Sequence, residues 1–187
     1  LMKRLAVQKL ERTCLISNAG FGALGDFAAQ DVTRQTEMIN LNCAALMQLC
    51  HAVLPAMQRR KGGSILNVAS TAAFQAGPNM AVYYASKAFV LSFSEALHEE
   101  VKDQGIKVSC LCPGSTKTEF FDAANASSVR FRRFAGSADK VVEDGLAARA
   151  SNQAFIVSGV MNKIFVQAGR VGPGVLHPTT TKPQKHT

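Results

Sequence analysis

The chain has 187 residues, an apolar fraction of 47%, a formal net charge of +8 and five cysteines. That length suits one domain with a real core, and no apolar run is long enough to cross a bilayer. Cys14, Cys43, Cys50, Cys110 and Cys112 are odd in number, lack a C-x-x-C and lie in apolar elements, which excludes a disulfide framework and a zinc site and fits a reducing cytoplasm.

Leu1, Leu5, Val7 and Leu10 repeat like the tail of a helix. Residues 13–18 then form a strand ending on Asn18-Ala19-Gly20. Gly20 to Gly25 satisfies G-x-G-x-x-G. A dinucleotide fingerprint would need a helix opening at Gly25 and then a second strand carrying an acid. Instead Met38, Leu41, Ala45, Leu46, Leu49, Val53 and Met57 recur at helical spacing, so a loop leads into a helix over 31–59. Asn40 and Asn42 lie on that helix. A strand over 63–69 ends at Ser70, and a helix over 82–103 opens with Tyr83-Tyr84-Ala85-Ser86-Lys87. A strand over 106–112 runs into Pro113-Gly114, with Cys110 and Cys112 on one face as small buried hydrophobes.

The segment Arg130-Phe131-Arg132-Arg133-Phe134 interleaves basic and aromatic residues; a plain loop and a nucleic-acid contact are both open there. A helix over 139–150, with Ser137 as its cap, and a short strand over 153–158 follow. Residues 172–187 are rich in Pro, Thr, Lys and His without periodicity, the pattern of a disordered tail. The organisation is one domain over 1–171 and a basic tail. No amphipathic stripe points to a membrane or an acidic partner.

Strands joined by long helices give an α/β fold with a parallel sheet. In such sheets ligands sit beyond the carboxyl ends of the strands, where Asn18, Ser70 and Pro113-Gly114 all fall. Tyr83 and Lys87 are one helical turn apart. A nearby ammonium favours the phenolate and draws a tyrosine toward the working range of a general acid/base. Helices also carry such pairs with no chemistry attached. Tyr84 competes with Tyr83, but only Tyr83 stands four residues from Lys87 and thirteen from Ser70.

In order, spacing and context, Cys14 to Gly20, Asn42, Asn67-Val68-Ala69-Ser70, Tyr83 to Lys87 and Pro113-Gly114 resemble the short-chain dehydrogenase/reductase family over residues 10–120. Ser17 stands where the family has the first Asn of Asn-Asn-Ala-Gly. The resemblance implies the C-terminal part of a Rossmann-type, doubly wound parallel sheet and an oxidoreductase that interconverts an alcohol and a carbonyl with NAD or NADP. It assigns Tyr83 as acid/base and Ser70 as the hydrogen-bond partner of the substrate oxygen. Lys87 would hold the ribose and tune Tyr83, and Asn42 would hold a water leading to Lys87. Asn18, Ala19, Gly20, Tyr83, Lys87, Pro113, Gly114 and Thr118 would touch cofactor, and residues 130–134 would form a lid. No metal is implied, and the two long helices would pair into a homodimer or homotetramer. The family's Gly-rich turn has no counterpart before Asn18, so the chain reads as N-terminally truncated and inactive by itself. Two rivals stand beside this: a non-catalytic remnant acting as an interaction protein, and a basic protein associated with nucleic acid.

Overall fold

The computed structural model describes residues 13–116 and 136–171. The expected contact at Thr118, the segment 130–134, the opening helix and the tail lie outside them. Four parallel strands form one sheet in chain order: β1 Cys14–Ser17, β2 Gly63–Val68, β3 Ile106–Cys112 and β4 Phe155–Val157. Helix α1, Val32–Arg60, joins β1 to β2, and α2, Ala81–Val101, joins β2 to β3. Helix α3, Ala138–Ala150, precedes β4, and α4, Val160–Val171, follows it.

Alternation along the strands sends Ile65, Val108, Cys110 and Cys112 toward α1 and α2. They meet Cys50, Val53, Met57, Val90, Leu97 and Val101 in one core. Each such aliphatic side chain contributes about 1.5–3 kcal/mol by leaving water. Two buried polar groups on this face are paired, while the buried Ser17 Oγ on β1 has no hydrogen-bond partner among the described residues. Asn67 Nδ2 donates to Ser94 Oγ at 2.9 Å, and the His98 ring meets the Val108 carbonyl at 2.8 Å. On the other face Ser109 Oγ donates to the Ala148 carbonyl, and Gly145 lets α3 close on Leu111: a Cβ there would stand 2.8 Å from Leu111 Cδ2.

Helix α1 is long and apolar enough to cross a membrane, yet it turns Met38, Cys50, Val53 and Met57 into the core as a core helix does. Asp31 caps its start by accepting from the Thr33 amide. At its end Lys61 takes the left-handed conformation, with φ 50°. Two details differ from the sequence expectation. Ser137 occupies the cap position of α3 but makes no side-chain cap bond. Helix α4 was not foreseen; of its apolar residues, Val160, Met161, Ile164 and Phe165 face outward and Val166 is buried in the core.

Candidate active site

A cleft of about 950 Å³ opens beyond the carboxyl ends of β1, β2 and β3. Ser70, Tyr83 and Lys87 line it, together with Asn18, Gly20, Pro113 and Gly114. Ala19, expected with them, is not among the lining residues. Gly20 to Gly25 forms no helix start: the next element is a single 3₁₀ turn, Phe27–Ala29, capped by Asp26. The dinucleotide fingerprint is therefore absent at that position.

Tyr83, Ser86 and Lys87 begin the buried stripe of α2 that continues through Val90, Leu91, Ser94, Leu97 and Val101. The i, i+3, i+4 spacing that packs the helix on the sheet also drives these groups into the cleft floor. Lys87 Nζ donates to the Val68 carbonyl at 2.9 Å and lies 5.9 Å from the centroid of the Tyr83 ring. Burial holds the Lys87 ammonium below its ordinary pKa, while the neighbouring thiols of Cys110, Cys43 and Cys112 push the other way. Burial likewise pushes the Tyr83 phenol up to about 12. Its hydrogen bond with Ser70 opposes this and Tyr84 adds to it. Desolvation is the largest cause of the Tyr83 shift, and Lys87 is not among its causes.

Ser70 follows β2 and caps the 3₁₀ turn Thr71–Phe74: its Oγ accepts from the Ala72 amide at 3.1 Å. The same hydroxyl lies 3.4 Å from the Pro113 carbonyl, so the ends of β2 and β3 are tied together at the site. Asn42, not the exposed Asn40, is the buried asparagine. It sits in a π-helical turn, Asn40–Ala45, that interrupts α1. Its Oδ1 accepts from the Phe21 amide at 3.1 Å, and its Nδ2 donates to the Phe21 carbonyl and to Ser86 Oγ, both at 3.0 Å. Asn42 thus fastens the loop after β1 to α2. Gly20 passes so close that a Cβ on it would stand 2.9 Å from Asn42 Oδ1 and 3.4 Å from Lys87 Nζ.

Sequence reasoning missed Ser86, Thr71, Gln75, Met80 and Asn162. Ser86 is one helical turn from Tyr83 and donates to its carbonyl at 2.7 Å, a link its spacing could have suggested. Asn162 stands over Gly114, where a Cβ would meet its side chain at 2.4 Å. No sequence signal couples two residues so far apart. Tyr84 also lines the cleft, its ring edge-on to Tyr83 with centroids 6.0 Å apart. Among the described residues no group of three or more His, Cys, Asp or Glu could hold a metal ion.

Comparison with known proteins places this geometry. A family model described as short chain dehydrogenase matches residues 3–128. Dehydrogenase/reductase SDR family member 4 of Pongo abelii is 40% identical over 110 residues, covering 57% of this chain and 38% of its own. A 3-ketodihydrosphingosine reductase of Bacteroides thetaiotaomicron is 36% identical over 115 residues, covering 62% of this chain and 43% of its own. A short chain dehydrogenase from Burkholderia cenocepacia, solved in complex with NADP, superposes with a TM-score of 0.77 at 26% identity, over 91% of this chain and 71% of that one. The chain spans less than two thirds of the length of these curated relatives.

Proposed function

The chain belongs to the short-chain dehydrogenase family, and on that premise we propose that it carries the proton-transfer site of an NAD- or NADP-dependent oxidoreductase interconverting an alcohol and a carbonyl. The observation that carries this reading is the hydrogen-bonded pair of Tyr83 and Ser70 in a cleft floored by the buried Lys87 ammonium. The chain's own residues fit a nicotinamide cofactor. Gly20 and Gly114 keep the cleft wall to bare backbone, and Lys87 brings a buried cation to it. Asn18, Gly20, Lys87, Pro113 and Gly114 would hold the cofactor, with Ala19 and Thr118 flanking; when bound, it supplies the hydride chemistry.

The chain positions the substrate oxygen and moves its proton. Ser70 Oγ hydrogen-bonds that oxygen, and Tyr83 donates its proton during carbonyl reduction. Burial favours this direction, since it keeps the phenol protonated through neutral pH. For alcohol oxidation Tyr83 must accept a proton, and Lys87 is the cation on hand to oppose burial. Asn42 acts through position: it locks the loop at Phe21 against Ser86, which keeps Gly20 over Lys87. A homodimer or homotetramer through α1 and α2 belongs to the same proposal, supported by the exposed Leu41, Met47 and Phe89 on those helices.

The test is fluorescence titration with NADPH and NADH, plus turnover of a panel of aldehydes and ketones. Both are measured on this chain and on the longest reading frame that contains it. Lys87→Met should weaken cofactor binding, whereas Tyr83→Phe should leave binding and remove turnover. Equal binding by the Lys87→Met protein, or equal turnover by the Tyr83→Phe protein, would sink the assignment.

A further inference from the structure

Ser158, directly after β4, is anchored three ways. Its amide donates to the Cys112 carbonyl at 3.2 Å, its Oγ donates to Asp144 Oδ2 on α3 at 2.7 Å, and its carbonyl accepts from Asn162 Nδ2 on α4 at 2.7 Å. Two glycines leave room for that Asn162 carboxamide. Gly159 takes the left-handed conformation, with φ 88°, and a Cβ there would stand 3.1 Å from Asn162 Nδ2. A Cβ on Gly114 would stand 2.5 Å from Asn162 Oδ1, and its three nearest atoms would all belong to Asn162. Pro113 and Gly114 line the cleft, whereas Asn162 does not. The carboxamide therefore bears on the cleft wall from behind, fixed in place by its bond to the end of β4.

That wall carries more than its own backbone. The Pro113 carbonyl accepts from the Thr71 amide at 2.8 Å and lies 3.4 Å from Ser70 Oγ. Pro113 has no N–H with which to fix itself to a neighbour. Whatever sets the depth of Gly114 thus also bears on Ser70. We propose that Asn162 is a positioning residue: it fixes how far Pro113-Gly114 reaches into the cleft and, through the Pro113 carbonyl, where Ser70 Oγ stands. Misplacement by about 1 Å at a reacting centre can cost about 10²-fold in rate, so a fixed wall matters. The effect on cofactor rests on the oxidoreductase reading above; the effect on the wall does not. A role confined to the first turn of α4 would leave the Thr71 amide and the cleft untouched.

The experiment combines amide hydrogen exchange by NMR with NADPH fluorescence titration, on the full chain and on the longest reading frame that contains it. Ala69, whose amide donates to the Leu111 carbonyl at 2.8 Å, is the internal control. Asn162→Ala should speed exchange at Thr71 at least tenfold with Ala69 unchanged, and weaken NADPH binding about fivefold or more. Asn162→Ser, short and polar in a first helical turn, carries the same reading if the alanine protein does not fold. Gly114 lies outside the left-handed region, so in Gly114→Ala the added methyl group meets Asn162 rather than backbone strain. That variant should weaken NADPH binding about tenfold by pushing the wall inward, and adding Asn162→Ala should recover most of the loss. Unchanged Thr71 exchange in the Asn162 variants would overturn the proposal, and so would Gly114 and Asn162 losses that add. NADPH binding that is equal in the parent and in Asn162→Ala would overturn it while leaving the cofactor reading intact. A parent that binds no NADPH, with Thr71 still responding to Asn162→Ala, would sink the cofactor reading and leave the positioning role standing.

Discussion

On the α1/α2 face of the sheet, Ile65, Val108, Cys110 and Cys112 are closed off from solvent and Asn67 is paired with Ser94. On the opposite face α3 covers Leu66 and Leu111, but Ile16, Val142 and Leu146 remain open to water. The cleft takes its chemistry from the first face and its apolar wall from the second. A proton-transfer group must be held within a fraction of an ångström, and Tyr83, proposed for that role, sits on the stripe that also packs the core. A wall need only be apolar, and can stay uncovered until something lies against it.

The largest expected effect tests the chemical half of that contrast. Tyr83→Phe should lower turnover about 10²–10⁴-fold, the usual range for loss of a general acid/base. NADPH affinity should stay within about twofold of the parent, and the melting temperature should move little because the ring is kept. A Tyr84→Phe protein should retain most turnover. Loss in the Tyr84→Phe protein alone would transfer the role to the other cleft-lining phenol.

Packing comes next. Ile65→Ala should destabilise the chain by about 2–5 kcal/mol in urea denaturation, since the fully buried side chain leaves a cavity. Alkaline titration then probes the same face. The folded-state pKa of Tyr83 is raised to about 12, against an ordinary value of about 10. Between those values the unfolded chain gives up the phenol proton while the folded chain keeps it. Stability should therefore be unaffected below pH ~10 and fall by roughly 1–3 kcal/mol as pH rises toward ~12. Lys87 acts with the opposite sign, because burial lowers its pKa and its desolvation penalty fades as it deprotonates. The difference between parent and Tyr83→Phe denaturation midpoints across the window isolates the tyrosine. An identical pH dependence in the two proteins would show that the phenol is hydrated in solution.

The same division explains what the sequence disclosed. Strand β3 and the stripe of α2 follow from alternation and from i, i+3, i+4 spacing, because both elements are buried on a regular face. Tyr83, Ser70 and Lys87 were legible because the spacing that packs α2 also aims them. Asn42 over Asn40 was legible in position but not in contacts: its bonds to Phe21 and Ser86 span 21 and 44 residues. Spacing to Lys87 and Ser70 set Tyr84 aside, yet it lines the cleft, since a spacing argument ignores a cleft that wraps around the first turn of α2. The outward side of α4 was illegible because the sequence pattern carries no sign for which apolar residues meet the core.

A smaller effect is expected where the backbone itself is the constraint. Gly20→Ala places a methyl group 2.9 Å from Asn42 Oδ1, so the Asn42 latch or the loop must shift. That should cost about 1–3 kcal/mol, the usual range for overpacking. Loosening the latch by Asn42→Ala in the same protein should make the combined loss less than the sum of the two, because both changes act on one contact. Additive losses would mean that the loop relaxes elsewhere.

The smallest effect belongs to the open face, and it is the most diagnostic. Ile16 is 52% exposed on the edge strand β1, at the mouth of the cleft. Ile16→Thr keeps a β-branched side chain suited to a strand and removes only apolar atoms that largely face water. It should change stability by no more than about 0.5 kcal/mol. Measured beside Ile65→Ala, one position along β2 from Leu66, the register partner of Ile16, the pair should show a several-fold difference in destabilisation. A loss of about 2 kcal/mol at Ile16 would mean that the edge is covered in solution. If that loss grows with protein concentration, the cover is a second molecule; if it does not, the cover lies within the same chain.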